Sequence, residues 1–473
     1  MRQFPNDNPF IPSVTRFRKT KVTYLAAIHP YRRAERFQNN PPCITPPQRT
    51  WARLFMETPL MTQVSDATVD KRPADISVRT TESESPFEID ELFFSRTELR
   101  GRIQSGNAVF QRVSEYPWAE MMDRPHNIIR HPDMPRAVFF VLWDKIRAGQ
   151  PVGAYVKNRA KSGNYYWVYA VVTPIDGGYL SVRLKPSSEL FAAASALYTS
   201  ARRHETNSAI KPADSAVELV NSLRASGFRD YAAFMAAAIS REMRSRNAAL
   251  GRQSWRLIDL FDELVTSADT LLTTTDRMLG MVSTFNHTPT NLRIQALRMG
   301  EKGRAIAEIS SNYDHISKAI VTNLEALETA SKEVFSGVND GLFLACTARL
   351  QEEMAGLFDQ EVCDDGETSR EEAKRLRQQT DDCKTHAAQK FELIKSRIEH
   401  FFELTSEMKR LLSGLVAVRV MGKVESVNLS NGIFSDLIAD LEKGQQTLTS
   451  GLEDIGKLND RIRETVVQLD ALI

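Results

Sequence analysis

Between Pro212 and Ile473 the chain contains a single proline, Pro289. Proline lacks the amide hydrogen a helix needs and clashes with the preceding turn, so a long stretch nearly free of it reads as long helices. The apolar pattern agrees. Leu257, Phe261, Leu264, Ala268, Leu271, Thr275, Met278 and Val282 recur at alternating spacings of four and three, with Leu292, Ala296 and Met299 in phase beyond Pro289. That is a heptad seam. Ile309, Tyr313, Ile316, Ile320, Asn323, Leu327, Ala330 and Val334 form a second seam, and Phe391, Ile394, Ile398, Phe401, Thr405, Met408, Leu412 and Leu415 a third. A looser fourth runs from Phe434 through Leu441, Leu448, Leu452, Ile455, Ile462 and Val466 to Leu469. Breaks are expected at residues 300–303, at the acidic stretch 363–366, and at either Gly422 or 428–432. Short turns make neighbours antiparallel, and three partners from the same chain suffice to cover each apolar stripe. Residues 251–473 are therefore expected to form a long antiparallel four-helix bundle, monomeric in its own right. Residues 187–250 read as a helical connector.

Upstream the texture differs. Residues 1–60 hold 9 of the 20 prolines and ten Lys or Arg against three acids, with no helical or strand period. They read as a disordered basic arm, or as sequence that a start at Met56 or Met61 would leave out. The linker 61–85 follows. Residues 86–186 then combine an apolar strand at 89–94, a short helix at 107–116 and an amphipathic helix at 135–148. Aromatic strands at 154–159 and 165–173 are joined by Ser162-Gly163-Asn164, and a last strand covers 179–184. This is one small α+β module with a sheet packed on helices.

The module's densest feature is the loop 125–135, where three prolines rigidify a run containing His126, Asn127, Arg130, His131 and Asp133. Asp133 suits a helix cap, with Pro135 in the first turn. Arg130 and His131 have no such local role, and their pairing with a carboxylate beside an apolar sheet suits a buried anionic or polar ligand.

This loop, with Phe94-Ser95-Arg96-Thr97, Trp143, Lys157-Asn158-Arg159, Gly163 and Tyr166-Trp167-Val168, resembles the PAS domain of bacterial aerotaxis receptors over residues 90–186. The resemblance implies an FAD held non-covalently, with Asn127, Arg130, His131 and Asp133 lining its site and Trp143, Asn158 and Trp167 as further candidates. A haem PAS is the related alternative, with His126 or His131 as the axial ligand. Receptors of this family carry a membrane anchor after the PAS domain, whereas the longest apolar stretch here, 231–239, is about half of what a span needs. The stretch 291–304 resembles the hairpin tip of methyl-accepting chemotaxis receptors, which implies a partner-binding surface at Asn291, Gln295, Arg298, Glu301 and Arg304. The sequence departs from that family at Gln295, at 287–290 and at 310–315, where the chemotaxis kinase and its coupling protein would make contact.

Balanced charge, 61 Lys and Arg against 60 Asp and Glu, argues against a nucleic-acid binder. Four well-separated cysteines fit reduced thiols in the cytoplasm. No phosphate loop, nucleophile elbow or kinase site is present, so a non-enzymatic role is expected. The sequence thus reads as a cytoplasmic redox or oxygen sensor with a helical output. The alternative is a scaffold whose PAS domain binds no cofactor and serves only to form homodimers.

Overall fold

A computed structural model describes residues 80–285, 288–360, 366–429 and 432–472. All of them lie within one compact unit, Asp66–Ile473. The basic arm and nearly all of the linker fall outside the described residues.

The module is a five-stranded antiparallel sheet. Its strands are β1 (Phe93–Glu98), β2 (Ile103–Gly106), β3 (Val152–Arg159), β4 (Tyr165–Ile175) and β5 (Gly178–Leu184), in the order β2-β1-β5-β4-β3. Between β2 and β3 lie α1 (Ala108–Ser114), α2 (Trp118–Met121), a 3-10 turn (His126–Ile129) and α3 (Arg136–Arg147). The first strand starts later than the apolar run 89–94 implies. Its pairing covers Ser95, Arg96 and Thr97, whose polar side chains hide the strand from a hydrophobic reading. The hairpin expected at 162–164 joins β3 to β4, with Gly163 at φ 103°.

Both faces of the sheet are covered, which is why its central strands are aromatic and β-branched on both sides. One face meets α3. The other meets α4 (Glu189–Ser208), α6 (Tyr231–Ala249) and the far end of a long helix, α9 (Arg304–Gln360); α5 (Pro212–Ala225) packs on α3. Phe94 meets Phe358 edge-on at 5.0 Å. Gln351 Nε2 donates to Thr173 Oγ1 at 3.0 Å, and Arg96 Nε to Glu372 Oε1 at 2.7 Å. Arg246, buried, bonds Glu353 through both terminal nitrogens and the carbonyls of Ile89 and Asp90.

The remaining helices are α7 (Arg256–Phe285), α8 (Thr288–Arg298), α10 (Gly366–Leu429) and α11 (Gly432–Asp470), with a 3-10 turn, Gly300–Gly303, between α8 and α9. Each of α9 and α11 packs against both α7 and α10, which closes a four-helix bundle within one chain. The third seam is buried throughout, and in the first only Met299 and in the second only Ile316 are partly exposed. The last helix returns to the start of the first, where Arg256 Nη2 lies 3.5 Å from Gln468 Oε1.

Of the two breaks offered near the end of the third seam, the chain uses the later one. Helix α10 runs through Gly422, where a Cβ would come within 2.6 Å of Ile438 Cδ1. That glycine permits close helix approach and does not turn the chain. At Gly303 a Cβ would fall 2.0 Å from the carbonyl oxygen of Ala296, so the tip turn requires glycine there.

Candidate functional site

Period-two alternation sends Ser95 and Thr97 of β1, Val156 and Asn158 of β3, Ala170 and Val172 of β4, and Tyr179, Ser181 and Arg183 of β5 toward α3. Phe139, Leu142, Trp143 and Ile146 of α3 face them. The resulting cleft holds about 1070 Å³ of non-atom space, part of it open to solvent. Its walls are two apolar surfaces, one from the sheet and one from the helix. Its polar groups gather at the 3-10 turn and on β1 and β5.

At its base sits Arg183, with 4 % exposure. Arg183 Nη2 donates to Ser95 Oγ at 2.6 Å and to His126 Nε2 at 2.8 Å, while the guanidinium carbon lies 5.3 Å from the centroid of the Phe110 ring. Nη1 is buried with no hydrogen-bond partner, as is Ser181 Oγ two residues earlier on the same face. No carboxylate pairs with Arg183 among the described residues. Burial pushes its pKa down to about 10. His126 Nε2 accepts the hydrogen bond from Arg183, so its own hydrogen sits on Nδ1; its ring stacks on Phe110 at 5.8 Å. Burial, reinforced by the Arg183 charge, lowers its pKa to about 3, and the imidazole is neutral.

The loop residues divide. Asn127 and Arg130 line the cleft. The Arg130 backbone bridges to Asn158, and its guanidinium lies 4.0 Å over the Phe139 ring. Asn158 and Trp143 also line the cleft, Trp143 meeting Tyr179 edge-on at 5.6 Å. His131 is buried but does not line it. Its Nδ1 accepts from the Asp133 amide at 3.2 Å, and burial, then the Lys157 charge, lowers its pKa to about 4. Asp133 is 63 % exposed and paired with Lys157 at 2.7 Å, which helps to hold its carboxyl below the usual range. Trp167 occupies the opposite face of the sheet, edge-on to Phe191 at 5.3 Å.

Asp133 does not cap α3. Pro135 stands at the N-cap with no side-chain bond, and the first helical amides, of Arg136 and Ala137, donate instead to Glu205 of α4 at 2.8 and 2.9 Å. Sequence reasoning also missed Ser95, Thr97, Ser181 and Arg183 as cleft residues. The available signal was Tyr179-Leu180-Ser181-Val182-Arg183-Leu184, where polar groups recur every second residue in an otherwise apolar strand.

At the far end of the bundle, α8 and the glycine turn bring Asn291, Arg298, Glu301 and Arg304 to the surface, with Gln295 half-buried. Ile294 and Leu297 are exposed beside them.

Residues 105–182 match the PAS fold family. Over 135 residues the chain is 37 % identical to the aerotaxis receptor of Escherichia coli (strain K12), a match covering 28 % of this chain and 27 % of that receptor. The chain thus spans about a quarter of the length of that curated relative. A solved fungal LOV domain photoreceptor covers 25 % of this chain, and 84 % of its own length aligns, at 19 % identity with a TM-score of 0.18. Among the described residues no helix is long and apolar enough to cross a membrane. The five-stranded module with its cleft is a PAS domain related to that of the aerotaxis receptor.

Proposed function

We propose that this chain is a redox or oxygen sensor whose PAS cleft binds a flavin and whose helical bundle passes the state of the cleft to a partner protein. The observation that carries this reading is a buried, uncompensated Arg183 with an unpartnered Ser181 hydroxyl at the base of a cleft with flat apolar walls. A planar ring system with one polar edge fits that combination. The β-strand and α3 side chains would take its faces, Arg183, Ser181 and Asn158 its polar edge, and Arg100 and Arg130 nearer the mouth an attached phosphate. Bound flavin supplies reversible electron transfer. Similarity to an aerotaxis receptor supports the same reading. A haem would need an axial nitrogen, and His126 Nε2 is already engaged by Arg183 while His131 does not line the cleft.

On this reading the output surface is the bundle tip around Asn291, Gln295, Arg298, Glu301 and Arg304, with exposed Ile294 and Leu297 as its apolar contact. Its partner is a signalling protein, which need not be the chemotaxis kinase given the departures at Gln295 and 310–315. The protein acts in the cytoplasm and is not an enzyme.

The test is to purify wild type and Arg130→Ala and measure flavin released per chain. A guanidinium bonded to a phosphate or ring oxygen contributes about 1.5–3 kcal/mol, so retention should weaken roughly 10- to 150-fold. Equal occupancy in both proteins removes Arg130 from the site. A colourless wild type leaves the cofactor-free scaffold as the better reading.

A further inference from the structure

Two buried arginines of this chain invite comparison. Arg246 meets the Glu353 carboxylate at 2.7 and 3.0 Å and two backbone carbonyls besides, so its charge is neutralised where it lies. Arg183 is as deeply buried, yet its neighbours are a hydroxyl and a neutral imidazole, and Nη1 has no partner at all. A desolvated cation without a counter-charge is strongly unfavourable unless something in the cavity compensates it. The open space that it lines is the cleft.

Resting on the flavin reading above, we infer that Arg183 reads the charge of the bound ring, favouring its anionic reduced form over the neutral oxidised one. Two electrons and one proton, delivered by a low-potential donor such as dithionite or a reduced viologen dye, add hydrogen at N5 and leave N1 without one. The ring then carries one negative charge along the edge bearing N1 and the neighbouring carbonyl. A guanidinium at that edge bonds the neutral carbonyl, but bonds the anion more strongly. By linkage, tighter binding of the reduced ring raises the midpoint potential and keeps the second proton off N1.

The other ionisable groups around the guanidinium do not confuse this assignment. His126 is neutral above about pH 3, burial pushes the Tyr166 phenol on β4 well above its ordinary range, and the remaining charged groups lining the cleft are the guanidiniums of Arg100 and Arg130. Between pH 6 and 9 neither His126 nor Tyr166 changes state.

The test uses the full chain with the flavin that co-purifies, as wild type, R183Q and R183K, titrated spectroelectrochemically from pH 6 to 9. Wild type should take up one proton per two electrons, a slope of about 30 mV per pH unit. R183Q should weaken the reduced form relative to the oxidised by about 10- to 100-fold, lowering the midpoint by about 30–60 mV. Its slope should also steepen toward acid pH as N1 gains a proton. An R183Q that holds flavin with wild-type midpoint and slope overturns the inference. If R183Q loses the ring, R183K decides. Retained flavin with the wild-type slope supports a charge role, while loss of flavin or a steep slope in R183K overturns it. A wild type that carries no flavin removes the flavin reading and this inference together. A loaded wild type with an unchanged variant removes the inference alone.

Discussion

Glu205, seventy residues beyond the loop, decides how the helix that follows that loop begins. Its buried carboxylate accepts from the amides of Arg136 and Ala137 and from Ser215 Oγ, doing at a distance what a local N-cap does elsewhere. Glu205→Ala should therefore cost about 1–3 kcal/mol, read as a lower urea midpoint with unchanged slope. Asp133→Ala, which removes an exposed ion pair, should change the midpoint little. The cleft histidine makes a pH prediction. His126 has a folded-state pKa of about 3 against an ordinary value of 6.5, so between those limits the unfolded chain binds a proton that the folded chain refuses. Stability is full above about pH 6.5 and falls as pH drops toward 3. From pH 6.5 to 5 this residue alone accounts for about 2 kcal/mol. His126→Gln should flatten that part of the curve, and His131, shifted the same way to about 4, should leave a residual slope.

Strand β1 shows what was legible in the sequence and what was not. Helix seams and the β3–β4 hairpin are periodic over many residues, so they stand out. The cleft is built from single polar residues at every second position of strands buried on both faces, and Ser95, Thr97, Ser181 and Arg183 look there like isolated interruptions. Parity explains Trp167 as well, since one step along a strand moves a side chain to the other face of the sheet. Loop residues were legible by resemblance, but packing sorted them, turning Arg130 into the cleft and Asp133 to solvent. The same alternation makes β1 a link between two surfaces, because Ser95 bonds Arg183 while the next residue, Arg96, pairs with Glu372 of α10. Glu372 is 3 % exposed and its Oε2 has no partner, so Arg96 supplies its compensation. Arg96→Ala should destabilise by about 3–5 kcal/mol, and adding Glu372→Gln should recover part of the loss. A double mutant whose loss equals the sum of the two single losses would show that the pair carries no coupling.

At the scale of the molecule, the sensor and the bundle share helix α9. Its first part lies in the bundle seam, while Phe343, Gln351 and Phe358 belong to the contact with the sheet. A fragment covering 251–473 would bare that apolar end, and a fragment covering 80–250 would bare the sheet face beneath it. Light scattering at micromolar concentration should find the full chain monomeric and each fragment associated or less stable. A dimeric full chain that dissociates when 369–473 are removed would point to pairing between chains instead. Helix α9 runs as one helix from Arg304 to Gln360. From Arg304 at the tip turn to Phe343 beside the sheet is about 60 Å of helix at 1.5 Å per residue. Over that lever arm a tilt of about two degrees at the sheet end sweeps the tip through about 2 Å, comparable to the helix shifts that switch protein interfaces.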